Sequence, residues 1–265
     1  MTHAVGVVLV ALSVWAVGPL YLLLKVSLSP PAEVMTAHPT VLPHELTLDH
    51  WRALLATGQV LAPLGKSLAT AGLVAAAALI LAAPAAYSLA RLPARWRYSV
   101  LLSLFLFRML PEVSIALPLA VVFLRWGLMD TVTGLAMAHL TLVLPVVAWV
   151  LTTAFLSIPH EVEEAAALDG CSGWQVLRHV TLRLALPGLV VGGLLAWMFS
   201  WEEFILASYL TLEAKTMPLQ VYYYLYQGNW FLTAAAATLM TAPVLLLTGT
   251  LQRYLKATSL AGAVR

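Results

Sequence analysis

TVTGLAMAHLTLVLPVVAWVLTTAFLSIPH, residues 131–160, runs for thirty residues without one Asp, Glu, Lys or Arg. A helix that crosses a bilayer needs about 20 mostly apolar residues. The stretch therefore predicts a transmembrane helix over 132–157. Working outward, the same signal recurs on both sides. Residues 1–24, 67–90, 184–201 and 216–252 are equally free of these charges, and 98–124 carries only Arg108 and Glu112. Six helices are predicted, at 4–28, 66–90, 98–124, 132–157, 184–207 and 231–254, which makes the chain an all-α polytopic membrane protein.

Composition excludes the competing classes. Charged residues make up 10% of the 265-residue chain, against about 25% in soluble domains, and the mean hydropathy is +0.90. A soluble domain of this size has no room to hide that much apolar side chain. The net charge of +2 implies no polyanionic partner, so no nucleic acid is expected. Cys171 is the one cysteine, which forbids an internal disulfide and a cysteine metal cluster. No Lys or Arg precedes the first helix, and Gly18-Pro19-Leu20-Tyr21 lies inside it. An uncleaved anchor is expected there rather than a signal peptide.

Lys and Arg in short connections set orientation. Arg91, Arg95, Arg97, Arg178, Arg183, Arg253, Lys256 and Arg265 fall on one side; Lys25, Arg52, Lys66, Arg125 and Lys215 fall on the other. Eight against five puts both termini in the cytoplasm. The long external segment 29–65 is rich in proline, with a short helix expected over 47–55. The aromatics of the external loop 208–230 (Tyr209, Tyr222, Tyr223, Tyr224, Tyr226 and Trp230) suit an interfacial belt or a docking surface.

The cytoplasmic connection 158–183 is far longer than a link between two spans requires. Pro159 suits a helix start, and Glu161, Glu163 and Glu164 favour its positive end. Gly170 and Gly173 permit a turn, and Trp174 opens a second short helix. An acidic, Ala-rich surface helix suits a protein socket; anionic lipid headgroups would repel it.

This segment resembles the EAA loop of ABC importer permeases. Glu164-Ala165-Ala166, three residues and then Gly170 match that pattern. Ala165 to Gly170 followed by Trp174-Gln175 is similar to the MalG-type carbohydrate subunits, as are Trp201-Glu202-Glu203-Phe204 and the tail Leu260-Ala261-Gly262-Ala263-Val264-Arg265. Two departures stand out. Arg183 occupies the place of a family proline, and Glu202 that of a usual Asn.

The resemblance implies the type I importer permease fold in a prokaryotic inner membrane, with no catalytic residue in this chain. It implies a second, MalF-type permease, two copies of a cytoplasmic ATPase that hold ATP and Mg, an external solute-binding protein and a carbohydrate substrate. Glu164, Ala165, Ala166, Leu168, Asp169 and Gly170 would form the coupling helix against the ATPase. Residues 1–65 are expected to hold the first span and external segment, and 66–265 the permease core. No P-loop is present, since Gly65-Lys66-Ser67 matches only its tail.

Charges inside the spans mark candidate path residues. Arg108 and Glu112, four apart, are expected on one face of the third helix, either as a structural pair or as part of the path or its gate, with a kink at Pro111. Trp201, Glu202 and Glu203 near the end of the fifth helix are a second candidate cluster. His139 suits a packed, hydrogen-bonding role better than a ligand. The competing classes are a self-contained secondary transporter, which would show inverted repeats and broken helices, and an intramembrane enzyme, for which His160-Glu161 lacks the second His at 164.

Overall fold

The computed structural model describes residues 2–262, with side chains over 5–250. The last three residues of the family-like tail lie outside the described residues. The chain divides into two compact units: residues up to 65 with 215–246, and 66–214 with the residues from 247 on.

In the first unit, α1 (Thr2–Leu28) is apolar throughout and leaves Val14 and Trp15 exposed, the pattern of a lipid-facing span. The segment after it folds around Glu33 in the short α2 (Pro31–Val34). The Glu33 carboxylate accepts from Thr40 Oγ1 (2.7 Å) and the His44 and Glu45 amides, with Lys25 3.9 Å away. Lys25 also donates to the Thr40 carbonyl. These bonds, the Thr40 hydroxyl first, hold the Glu33 carboxyl below its ordinary range. The short helix expected over 47–55 is α3 (Asp49–Ala56). Its Leu54 packs with Val60, Met217, Tyr224, Ala235 and Ala236. The aromatic segment 208–230 is largely helical, as α13 (Met217–Tyr226). Tyr224 is buried and Tyr226 is 82% exposed, so only part of that set suits a belt.

The second unit is organised by α7 (Val132–Leu156), the span with which the sequence reading began. It packs against α4 (Leu61–Arg91), α5 (Ala94–Arg108) and α11 (Leu186–Trp201). Val74, Ala78, Ala82, Ala86 and Ala90 recur at i+4 along α4 and form a buried small-residue ridge. Val143, Val147, Leu151 and Phe155 recur at i+4 along α7 as the larger buried residues of the same cluster. In lipid, where apolar surface gains nothing by leaving the bilayer, such close packing supplies much of the helix–helix attraction. α11 comes close to α7 at Gly188, where an added Cβ would sit 2.3 Å from Ala154 Cβ.

Among the described residues, four helices are long and apolar enough to cross a membrane unbroken, and up to six spans result if two bent pairs each count as one. One bent pair and the end of α11 correct two sequence expectations. The helix expected over 98–124 is α5 and α6 (Glu112–Trp126), joined at 81°. Pro111 cannot donate to the α5 ladder and forces Leu110 out of helical backbone, so the expected kink is a complete break. Arg108 and Glu112 therefore do not share a helix face. The helix expected over 184–207 stops at Trp201, and α12 (Ile205–Leu210) follows after Glu202 to Phe204. Before α11, the helical segment Gly173–Leu184 meets it at 76°.

A polar clamp closes the end of this unit that holds residue 130. Asp130 adopts a left-handed φ of 61°. Its carboxylate accepts from the amides of Leu212 (2.8 Å), Glu213 and Ala214. Lys66 Nζ donates to the Asp130 and Ala214 carbonyls at 2.9 and 2.6 Å.

The Gly188 contact gives a direct test of the packing. Gly188→Ala should destabilise the folded protein by about 1–3 kcal/mol, read as a fall in melting temperature in detergent. Ala154→Gly should restore it in the double variant. Gly249→Ala, where nothing lies within 4 Å of the new Cβ, should not lower it.

Candidate functional site

Two places in the second unit bring together the residues that the sequence singles out. The first is the connection 158–184. Pro159 precedes α8 (His160–Leu168), whose first turn holds Glu161 and Glu163. Gly170 follows with φ +89°, the backbone that lets the chain reverse. Ser172 and Gln175 then form a reciprocal capping box on α9 (Gly173–Gln175). A π-helical turn over Val176–Thr181 and α10 (Leu182–Leu184) lead into α11. Pro187 sits in the first turn of α11, where its missing N–H costs nothing. The helix therefore starts cleanly although Arg183 stands where the family has proline.

The residues expected to couple are on the outside of this loop. Glu164 is 67% exposed in its side chain and pairs with His160 at 3.3 Å. Ala165, Asp169 and Gly170 are exposed and Ala166 is half-buried. Leu168 is 88% exposed and Trp174 66%. Exposed apolar residues of this size beyond the spans mark a surface made for contact.

What holds the loop is a neighbour that sequence reasoning treated only as helix-end charge. Glu163 is buried at 6% exposure. Its Oε1 accepts from Arg91 Nη2 at 2.7 Å and from Thr181 Oγ1 at 2.8 Å. Tyr87 OH approaches Oε2 at 3.4 Å, and the Arg91 guanidinium lies over the Tyr87 ring. One carboxylate thus joins α4, α8 and the π-helical turn. Burial pushes the Glu163 carboxyl up, but the hydrogen bonds from Arg91 and Thr181 outweigh it, and its pKa lies below the ordinary value of 4.5. The available signal was faint: Glu163 shares a helix face with Ala166 at i+3, while Glu161 and Glu164 point elsewhere.

The second place is a cavity of about 300 Å³ where the α5–α6 break and the interruption between α11 and α12 meet α7. Arg108, Glu112, His139, Phe199, Glu202, Glu203 and Phe204 line it. Arg108 Nη1 donates to the Leu142 carbonyl at 2.7 Å, and its guanidinium lies 5.2 Å over the Phe199 ring. Leu142 is ten residues into α7, about 15 Å from its start at 1.5 Å per residue. The cavity therefore sits near mid-span. His139 is buried, with Nδ1 2.8 Å from Ser200 Oγ and Nε2 3.1 Å from Glu203 Oε2. The packed role expected for this histidine is the one found. Glu203 also accepts from the amides of Leu206 and Ala207 at 2.5 and 2.9 Å. It thereby satisfies two of the amides left free at the start of α12.

The sequence-selected path residues thus separate. Arg108, Glu112, Glu202 and Glu203 come together in one cavity, although they come from two spans. Trp201 does not line it; its ring is buried and stacked on Trp197 at 5.0 Å. His139, Phe199 and Phe204 join the site instead. Among the described residues, no three His, Cys, Asp or Glu side chains group to hold a metal ion.

Residues 60–258 match the model of the binding-protein-dependent transport system inner membrane component family. The trehalose transport system permease protein SugB of Mycobacterium tuberculosis is 29% identical over 257 residues, 95% of this chain and 93% of that protein. The maltose/maltodextrin transport system permease protein MalG of Vibrio parahaemolyticus is 31% identical, over 85% of this chain and 84% of that protein. The sulfoquinovosyl glycerol transport system permease protein SmoH of Agrobacterium fabrum is also 31% identical, over 86% and 82%. A crystal structure of a bacterial ABC transporter for import of the acidic polysaccharide alginate contains a chain of the same fold. Its TM-score is 0.78 at 20% identity, covering 96% of this chain and 95% of that one.

The chain belongs to this family. It is a multi-pass inner-membrane permease subunit of an ABC importer, not itself an enzyme, and it couples to a separate ATPase subunit.

The Glu163 tie predicts a pH dependence. A depressed carboxyl pKa contributes stability that is full above the ordinary value of 4.5 and is lost as pH falls through the lowered one. Glu163→Gln should abolish that acid sensitivity and cost about 3 kcal/mol at neutral pH, because it strands Arg91. Melting temperature followed from pH 7 down to pH 3 checks both. Glu203→Gln, which weakens the contact with His139 and the α12 cap, should lower the neutral-pH melting temperature as well.

Proposed function

We propose that this chain forms half of the translocation path of an ATP-driven carbohydrate importer and receives the ATPase on the loop 158–183. The observation that carries the reading is the division of labour in that loop. Glu163 holds the loop from inside, while Glu164, Ala165, Ala166, Leu168, Asp169 and Gly170 are presented outside or at its edge. A helix fixed to two elements and bare on its outer face can take a push from a partner and pass it to α4 and α11. Carbohydrate is the substrate class supported by relatives that carry trehalose, maltose or maltodextrin and sulfoquinovosyl glycerol.

In the assembly we infer, a second permease subunit completes the path and two ATPase copies bind ATP and Mg, one on each coupling loop. A solute-binding protein delivers the sugar from outside. Both termini and the loop 158–183 lie in the cytoplasm, as the Lys and Arg distribution suggests. Residues 66–265 form the permease core, and 1–65 add the first span and the external segment. The cavity bounded by Arg108, Glu112, Glu202 and Glu203 belongs to the path or its gate.

Pull-down of the tagged chain from its native membranes in mild detergent tests this. The wild type should bring an ATPase, a second permease and a sugar-binding protein. Leu168→Asp, at a side chain that packs on nothing in this chain, should reduce ATPase recovery about tenfold or more, which corresponds to about 1.4 kcal/mol of contact. Recovery of the second permease should be unchanged. Isolation of the wild-type chain alone, even after crosslinking, would contradict the reading.

A further inference from the structure

The cavity at the two helix breaks holds an unequal set of charges. Glu112, Glu202 and Glu203 supply three carboxylates, and Arg108 is the one guanidinium. The lining thus holds two more carboxyl groups than guanidinium groups. Glu203 is engaged by two amides and by the contact with His139. Among the described residues, Glu112 and Glu202 make no ion pair. His139 Nε2 is buried and lies 3.1 Å from Glu203 Oε2, so the histidine engages the carboxylate that the two amides also hold.

Carboxylates near the middle of a span are costly unless water or a solute meets them. Low-dielectric walls also focus the field of such charges into the cavity rather than dispersing it. Carboxylate oxygens accept bonds from hydroxyl and ammonium groups, and they repel other anions. A volume of about 300 Å³ lies at the small end of ligand sites, so it admits part of a solute at a time.

We propose that this cavity is a charge filter that passes uncharged or basic glycosides and rejects those bearing carboxylate or sulfonate groups. The proposal rests on the reading that the cavity lies on the path. It adds a selectivity set by Glu112 and Glu202 and opposed by Arg108.

Thiol modification in membrane vesicles holding the assembled transporter tests it without knowledge of the natural solute. Cys171→Ser removes the native thiol, and Ile205→Cys or, separately, Phe204→Cys places a new one in the lining. Methanethiosulfonates carrying trimethylammonium, hydroxyethyl or sulfonate groups are compared, each rate divided by that with a free small thiol. The cationic reagent should exceed the anionic one about tenfold or more. Glu112→Gln with Glu202→Gln should bring the ratio towards one, and Arg108→Gln should raise it. Reaction with all three reagents at a ratio below about three would overturn the filter while leaving an accessible path. Failure of every reagent at both positions, with normal reaction after denaturation, would overturn the filter and the path reading together.

Discussion

The second unit depends on one buried ion pair. Arg91 closes α4 and Glu163 opens α8, 72 residues later in the chain, and their contact is 2.7 Å. Burying a carboxylate is expensive, and a single partner often only breaks even. Here three donors from two elements, Tyr87 and Arg91 of α4 and Thr181 of the π-helical turn, converge on the group, so its lone pairs are satisfied and removal of any donor leaves it short. Because Thr181 is one of them, the tie reaches the π-helical turn that leads into α11. The loop is therefore fixed to both sides of the α7 core before any partner binds.

The same requirement governs the middle of the span. Each helix break frees backbone groups that lipid cannot satisfy. At the second break Glu203 takes the amides of α12. Arg108, at the end of α5, reaches across to an α7 carbonyl. Charged side chains at these breaks thus serve the fold, and the surplus carboxylates of Glu112 and Glu202 remain for the cavity. Gly188 shows the same economy in packing: with no side chain, it lets α11 close on α7 where even a methyl group would collide.

Much of this was legible in the residues. Charge-free runs gave the number and order of the spans, because the bilayer imposes a length that sequence can be measured against. The EAA-like spacing singled out the loop 158–183 as the candidate coupling surface. The breaks were harder. The run 98–124 is long and apolar enough to read as one span despite Arg108 and Glu112, and at Pro111 a kink and a break look alike in sequence. Broken helices had been reserved for the secondary-transporter class, yet they occur here in a binding-protein-dependent permease; the family match separates the two classes, and the breaks do not. Glu163 and Asp130 escaped notice for a different reason. Their partners are far off in the chain, and nothing local distinguishes a buried Glu163 from an exposed Glu164 next to it.

The central claim is that the Glu163–Arg91 tie transmits the ATPase stroke to the spans. The most direct measurement is ATP hydrolysed per solute imported by the complete transporter in proteoliposomes. The comparison is between the wild type, Glu163→Gln and the reversed pair Glu163→Arg with Arg91→Glu. If the tie transmits force, Glu163→Gln will keep the ATPase bound and hydrolysing while the ratio of ATP to solute rises several-fold, and the reversed pair will bring it back towards the wild-type value. An unchanged ratio in Glu163→Gln, with import and hydrolysis falling together or not at all, would contradict it.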